Sequence, residues 1–224
     1  MKIKPGKIIT LILQVLIVLI IVASFYTGDY FFAIGGVFAF FLTIVPYIVE
    51  KEFCLVIPWW LTFLIVLSLY IHLAGEYYSW YILFYPYYDK FAHTISGITV
   101  GLLGFTAVLL IDRYTENNFN RPLIIFMIFM LTMAFGALWE IIEFTMDTFF
   151  LYGDPMQHGN TDTMLDMIFV MFGAIIVAAL GNFYLRKMSK LDLSQLLAGN
   201  PDLERYAHPA EEKAKNDAEE HRDQ

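Results

Sequence analysis

Cysteine and charge are both scarce in this 224-residue sequence. A lone cysteine, Cys54, excludes a small secreted domain stapled by disulfides. Charged residues make up 16% of the chain, well under the roughly 25% of a soluble domain, which together with the long apolar runs below excludes a soluble globular fold. The 14 basic residues are outnumbered by 22 acidic ones and form no stripe, which argues against nucleic acid as a partner. No Asn-x-Ser/Thr sequon, P-loop, nucleophile elbow or internal repeat is present.

What the chain has instead is apolar sequence, 58% by residue, gathered into runs rather than spread. Six runs stand out: Ile8–Tyr26, Tyr30–Val49, Cys54–Ala74, Phe91–Ile111, Pro122–Met146 and Thr163–Leu185. Each is close to the roughly 20 residues that carry a helix across a hydrocarbon core about 30 Å thick. The expected fold is therefore all-α: a multi-pass cell-membrane protein of six transmembrane helices, in contact with membrane lipid. Ile8–Tyr26 is too long for a signal-peptide core, and bulky rings stand where a cleavage site wants small residues, so it is read as a retained span.

Lysine and arginine set the expected orientation. Lys2, Lys4, Lys7, Lys51, Arg113, Arg121, Arg186, Lys187 and Lys190 fall on one side of the alternating spans, and Lys90 alone on the other. The positive-inside rule then places both termini in the cytoplasm. Residues 1–190 read as one membrane domain and 191–224 as a polar, acidic, flexible cytoplasmic tail, opened by Leu193, Leu196 and Leu197 as a short amphipathic helix. Pro46 and Pro58 are expected to kink the helices that contain them. The segment from Gly75 to Lys90, dense in tyrosine, is expected to lie along the headgroup layer.

The polar residues are informative because they share one depth. His72 and Glu76 close span three; Asp89, His93, Thr94 and Ser96 open span four. Glu140, Glu143 and Asp147 close span five, and Asp162 and Asp166 open span six. At about 100° per residue, each group falls on one helix face. Titratable groups in or beside spans are costly and usually face an interior or a wet cavity. Asp89 and Asp162 suit helix N-termini as caps, but His93 lies a turn too deep for that role, and acids near a helix C-terminus oppose the macrodipole. Below the polar face, span four continues with Gly97, Gly101 and Gly104, which suits close helix packing.

Oxygen and imidazole donors in this arrangement suit one divalent cation, with His93, Glu140, Glu143, Asp162, Asp166 and His72 as candidate ligands. His93, Glu140, Glu143 and Asp166 are also the candidate catalytic residues. The expected function is an outward-facing carboxylate–histidine site for metal-assisted chemistry on a lipid or envelope-linked substrate; the alternative is a proton- or ion-coupled small-solute transporter. Whether the protein is an enzyme stays open at this point.

Three segments carry a resemblance: Tyr88-Asp89-Lys90-Phe91-Ala92-His93, Trp139-Glu140-Ile141-Ile142-Glu143-Phe144 and Asp162-Thr163-Met164-Leu165-Asp166-Met167. Together they resemble the YjdF-like family of bacterial and archaeal inner-membrane proteins, over roughly residues 8–187. The Asp89-Lys90-x-x-His93 element is more distantly similar to VanZ-like membrane proteins, linked to glycopeptide resistance, in which glutamine would fall at the position of Glu143. The resemblance implies an inner-membrane fold and the same choice of residues, and supplies no reaction.

Overall fold

The computed structural model describes residues 5–115, 117–150 and 155–197. Among them the chain is all-helical: α1 Pro5–Thr27, α2 Tyr30–Glu52, α3 Trp59–Tyr77, α4 Trp80–Leu83, α5 Tyr87–Tyr114, α6 Arg121–Phe149, α7 Asn160–Lys187 and α8 Lys190–Leu197. Six of these (α1, α2, α3, α5, α6 and α7) are long and apolar enough to cross a membrane. The protein is a multi-pass cell-membrane protein, and the many large apolar side chains on its outer faces meet lipid.

Helix starts follow local chemistry. The Asp29 carboxylate accepts the Phe32 amide at 3.0 Å, and Asn120 Oδ1 accepts the Leu123 amide at 2.9 Å, each satisfying an orphan N–H of the first turn. Pro58 does not kink α3 as expected. It stands just before the first residue, Trp59, so span three begins five residues later than the apolar run does. A proline has no amide to donate, and the lead position of a helix needs none. Pro46, by contrast, does lie inside α2.

The long helices sort into two groups of three. α1 packs on α2 and α3, while α5, α6 and α7 pack on one another; contacts of α3 with α5 join the groups. One apolar core, with Ile17, Ile20 and Val66 at its centre, lies between α1 and α3. The other gathers Val108, Leu109, Ile124, Ile128 and Val177 between α5, α6 and α7. Leu193 and Leu197 of α8 close the end of this second core, leaving Leu196 exposed. Lys190, at the start of α8, reaches the Asp112 carboxylate at 2.8 Å and the Phe119 carbonyl at 2.8 Å. Of the expected tail, 191–197 therefore belongs to α8, and 198–224 lies outside the described residues.

The α5–α7 crossing brings two helix backbones into direct contact. A Cβ at Gly97 would stand 2.7 Å from the Val170 carbonyl oxygen, and one at Gly173 would stand 2.6 Å from the Ile98 nitrogen. Bare backbone thus meets bare backbone, as the glycine face of α5 suggests. Lower down, a Cβ at Gly101 would be 3.1 Å from Val177. This close approach brings the start of α5 and the start of α7 within side-chain reach of each other.

Candidate functional site

The last turn of α3, the first two turns of α5, the last turns of α6 and the first two of α7 meet at one end of the bundle. Lys90 is the hub there. Its ammonium donates to Asp162 Oδ1 at 2.6 Å, Asp166 Oδ1 at 2.7 Å and Asp89 Oδ2 at 2.8 Å, filling all three donors with carboxylates. Asp162 and Asp166 sit one turn apart on α7, which is why a single ammonium can reach both. Asp89, which reads from sequence as a helix cap, serves two partners: its Oδ1 lies 3.2 Å from His93 Nε2, one turn further along α5. His93 Nε2 is also 3.7 Å from Asp166.

His93 connects this ion-paired group to a second one on α6. Ligand atoms of His93, Glu140 and Glu143 all lie within 4.8 Å of one another, and all three residues are buried. Glu143 Oε1 accepts the Trp139 indole N–H at 2.6 Å. Glu140 Oε2 is 3.4 Å from the Gln157 amide, which also donates to the Glu140 carbonyl at 3.1 Å. Glu140 Oε1 is buried and has no hydrogen-bond partner among the described residues. Asp89, His93 and Asp166 form another group with ligand atoms within the same spacing, but Lys90 already pairs with two of its members.

His72 stands apart from the carboxylates. Its Nδ1 is 2.7 Å from the Tyr81 hydroxyl and its Nε2 2.9 Å from Ser96 Oγ, so both ring nitrogens are engaged. Burial, with the negative charges of Asp89 and Glu143 added, pushes the Tyr81 phenol well above its usual range. The phenol is therefore neutral, and together with Ser96 it leaves neither His72 nitrogen open toward the carboxylates. The His72 ring meets His93 edge-on, with centroids 5.7 Å apart, and supports that side chain from behind.

The expected outward-facing site is not what the structure shows. Glu140, Glu143, His93, Asp162 and Asp166 are each at most 8% exposed. Two segments lie across this end of the bundle. Asp147 accepts the backbone amides of Met156 at 2.9 Å and Gln157 at 2.8 Å, which clamps the connection between α6 and α7 inward. Tyr85, from the aromatic segment, packs its ring 5.8 Å from that of His158. That segment is only partly a headgroup belt: Tyr78, Tyr85 and Tyr87 are exposed, whereas Tyr81 turns in to His72 and Tyr88 donates to the Ile71 carbonyl at 2.8 Å. Depth along a span fixes which end a residue occupies, but not what folds across that end. With the outward opening goes the expected metal-assisted reaction on a lipid or envelope-linked substrate.

Five sequence candidates are thus brought together: His93, Glu140, Glu143, Asp162 and Asp166. The sixth, His72, backs them without joining a carboxylate. Lys90, Asp89, Trp139 and Gln157 complete the site; of these, the i,i+4 spacing of Asp89 and His93 was a usable signal, and the reach of Gln157 across 17 residues was not.

A six-helix membrane protein with a closed polar cluster at one end of its second three-helix group is the class so defined. The chain belongs to the family described as predicted membrane protein (DUF2238), which it matches over residues 8–187. An uncharacterised protein of Thermotoga maritima is 28% identical over 169 residues, covering 72% of this chain and 82% of its own. No solved structure matches the chain.

Proposed function

We propose that this protein holds one divalent cation inside the membrane bundle, ligated by His93, Glu140 and Glu143. The observation that carries the reading is the buried, unpartnered Glu140 Oε1 within a triad of donor atoms no more than 4.8 Å apart. Ligands on opposite sides of an ion with bonds of about 2.1–2.4 Å are roughly 4–5 Å apart, so the spacing fits without rearrangement of the helices. Charge supports it as well. Five carboxylates (Asp89, Asp162, Asp166, Glu140 and Glu143) face one lysine, and Lys90 is used up by the three aspartates. Asp89 beside His93 Nε2 is the carboxylate–histidine pairing that orients a ligating imidazole. Asp166 and Asp162 then act through Lys90 and His93 rather than as direct ligands, and His72 acts as a support.

Elemental analysis of the full chain, purified without chelator or added metal, tests this. The expected content is about one metal per chain, falling to near zero in Glu140→Gln and His93→Ala. Readdition of the right ion at a hundredfold its Kd should stabilise the protein by about 2.7 kcal/mol. Folded, metal-free protein that gains no thermal stability from magnesium, manganese, calcium, zinc or iron(II) would remove the cation and leave protons as the neutralising charge.

The cytoplasmic placement of both termini belongs to the same proposal, supported by nine basic residues against one. A membrane unit followed by an acidic tail is proposed on composition, with α8 (Lys190–Leu197) on the membrane side of the division, as is membership of a YjdF-like subset within the matched family. In a Cys54→Ser background, single cysteines at Tyr85 and Met156 should react with an impermeant thiol reagent in intact cells. Both positions are exposed at the end of the bundle near the cluster. A cysteine at Asn118, at the opposite end, should react only after the membrane is opened, and the reverse pattern would invert the orientation.

A further inference from the structure

Far from the cluster, at the end where α6 begins and α7 finishes, the two helices leave an open groove of about 660 Å³ on the lipid-facing surface. Phe126 and Phe129 of α6 form one wall, and Ala178 and Ala179 of α7 leave the depression itself. Two arginines line the same groove: Arg121, the first residue of α6, and Arg186, in the last turn of α7. One such arginine would be an ordinary interfacial anchor. Two on one groove, both uncommitted, are a different matter.

The neighbouring basic residues are all engaged. Lys190 is paired with Asp112 at 2.8 Å, Lys187 stands 4.3 Å over the Phe183 ring, and Arg113 donates to Ser194 at 3.2 Å. Among the described residues, Arg121 and Arg186 have neither an ion pair nor a hydrogen bond. Both are exposed. Guanidinium groups match phosphate oxygens in a bidentate fork, which ammonium groups do not. From Arg121 to Phe129 the helix runs about 12 Å, enough to lay the upper part of an acyl chain along the groove below a phosphate held at its end.

We infer that this groove is a selective site for an anionic phospholipid, its phosphate held between Arg121 and Arg186 and one acyl chain seated on Ala178 and Ala179. This goes beyond general contact with the bilayer, since most of the lipid-facing surface offers apolar side chains alone. It also stands independently of the cation site, which lies at the other end of the same helices.

The test uses the full chain in mild detergent with three probes: dioleoylphosphatidylglycerol, dioleoylphosphatidylcholine and glycerol 3-phosphate. Native mass spectrometry should retain phosphatidylglycerol, with an apparent affinity roughly 30-fold above that for phosphatidylcholine, the scale expected of two basic side chains at an anionic headgroup. The double variant Arg121→Ala/Arg186→Ala should lose that preference while keeping the thermal midpoint that wild type shows in phosphatidylcholine. Ala179→Phe, which fills the groove and keeps both charges, should weaken both lipids, and it serves if the double variant fails to fold. Equal retention of the two lipids by wild type, or a preference that survives in Arg121→Ala/Arg186→Ala, would overturn the proposal. Glycerol 3-phosphate matching the stabilisation given by phosphatidylglycerol would overturn it too, by assigning the arginines to a soluble anion.

Discussion

Lys90→Met is expected to remove most folded protein from the membrane. Its ammonium is the counter-charge of Asp89, Asp162 and Asp166 at 2.6–2.8 Å, with side-chain exposures of 17%, 7% and 3% for the three acids. Of the basic side chains beside the three acids, His93 reaches Asp89 and Asp166 but is not paired with Asp162. Removing one partner from a buried ion pair costs about 3–5 kcal/mol. That is a large share of the roughly 5–15 kcal/mol by which a typical fold is stable. Methionine matches the length of the lysine stem, so little of the loss would come from packing. Adding Asp162→Asn and Asp166→Asn to Lys90→Met should restore part of the yield, because the repulsion goes with the charges. Size-exclusion profiles and thermal midpoints in detergent would report both effects. A Lys90→Met protein within about 1 kcal/mol of wild type would show that the three aspartates are neutralised by something else.

Gly97→Leu is expected to do comparable damage by an unrelated route. The first side-chain carbon would stand 2.7 Å from the Val170 carbonyl oxygen, and the atom it meets is backbone rather than a rotatable side chain. Overpacking usually costs about 1–3 kcal/mol, and an unyielding backbone contact puts this position at or above the upper end. The separation of α5 from α7 would also lengthen the distances from Lys90 to Asp162 and Asp166, coupling packing to the ion pairs. Ala107→Leu on the same helix points outward to lipid and should be close to neutral. Comparable losses of folded yield in the two variants would contradict the close crossing.

How much of this was legible in the sequence follows from which interactions are local. Helix identity depended on hydropathy along each run, and all six spans were found; the start of α3 was misplaced because Pro58 was read inside the apolar run, not as its lead residue. Convergence of His93, Glu140, Glu143, Asp162 and Asp166 was visible because depth in a membrane is itself a coordinate that sequence supplies. The glycine face of α5 was visible from helical periodicity, although its partner, Gly173 against Gly97, needed the crossing to be known. Closure of the site was not visible. It depends on Asp147 holding the amides of Met156 and Gln157, and on Tyr85 meeting His158, contacts made across loops whose course no periodicity records. Lys90 carried a charge that was noticed, but its role as the common partner of Asp89, Asp162 and Asp166 depended on α5 and α7 approaching backbone to backbone.

The sequence separation of that ion pair has a consequence for synthesis on the ribosome. Lys90 leaves the tunnel 72 residues ahead of Asp162 and 76 ahead of Asp166. At elongation rates of about 5–20 residues per second, roughly 4–15 seconds pass before its partners exist. Through that interval the nascent α5 carries an ammonium for which Asp89 is the one of its three carboxylate partners already made. Only the arrival of α7 completes its set of ion pairs. The last long helix to be made therefore supplies the counter-charge of one made two spans earlier.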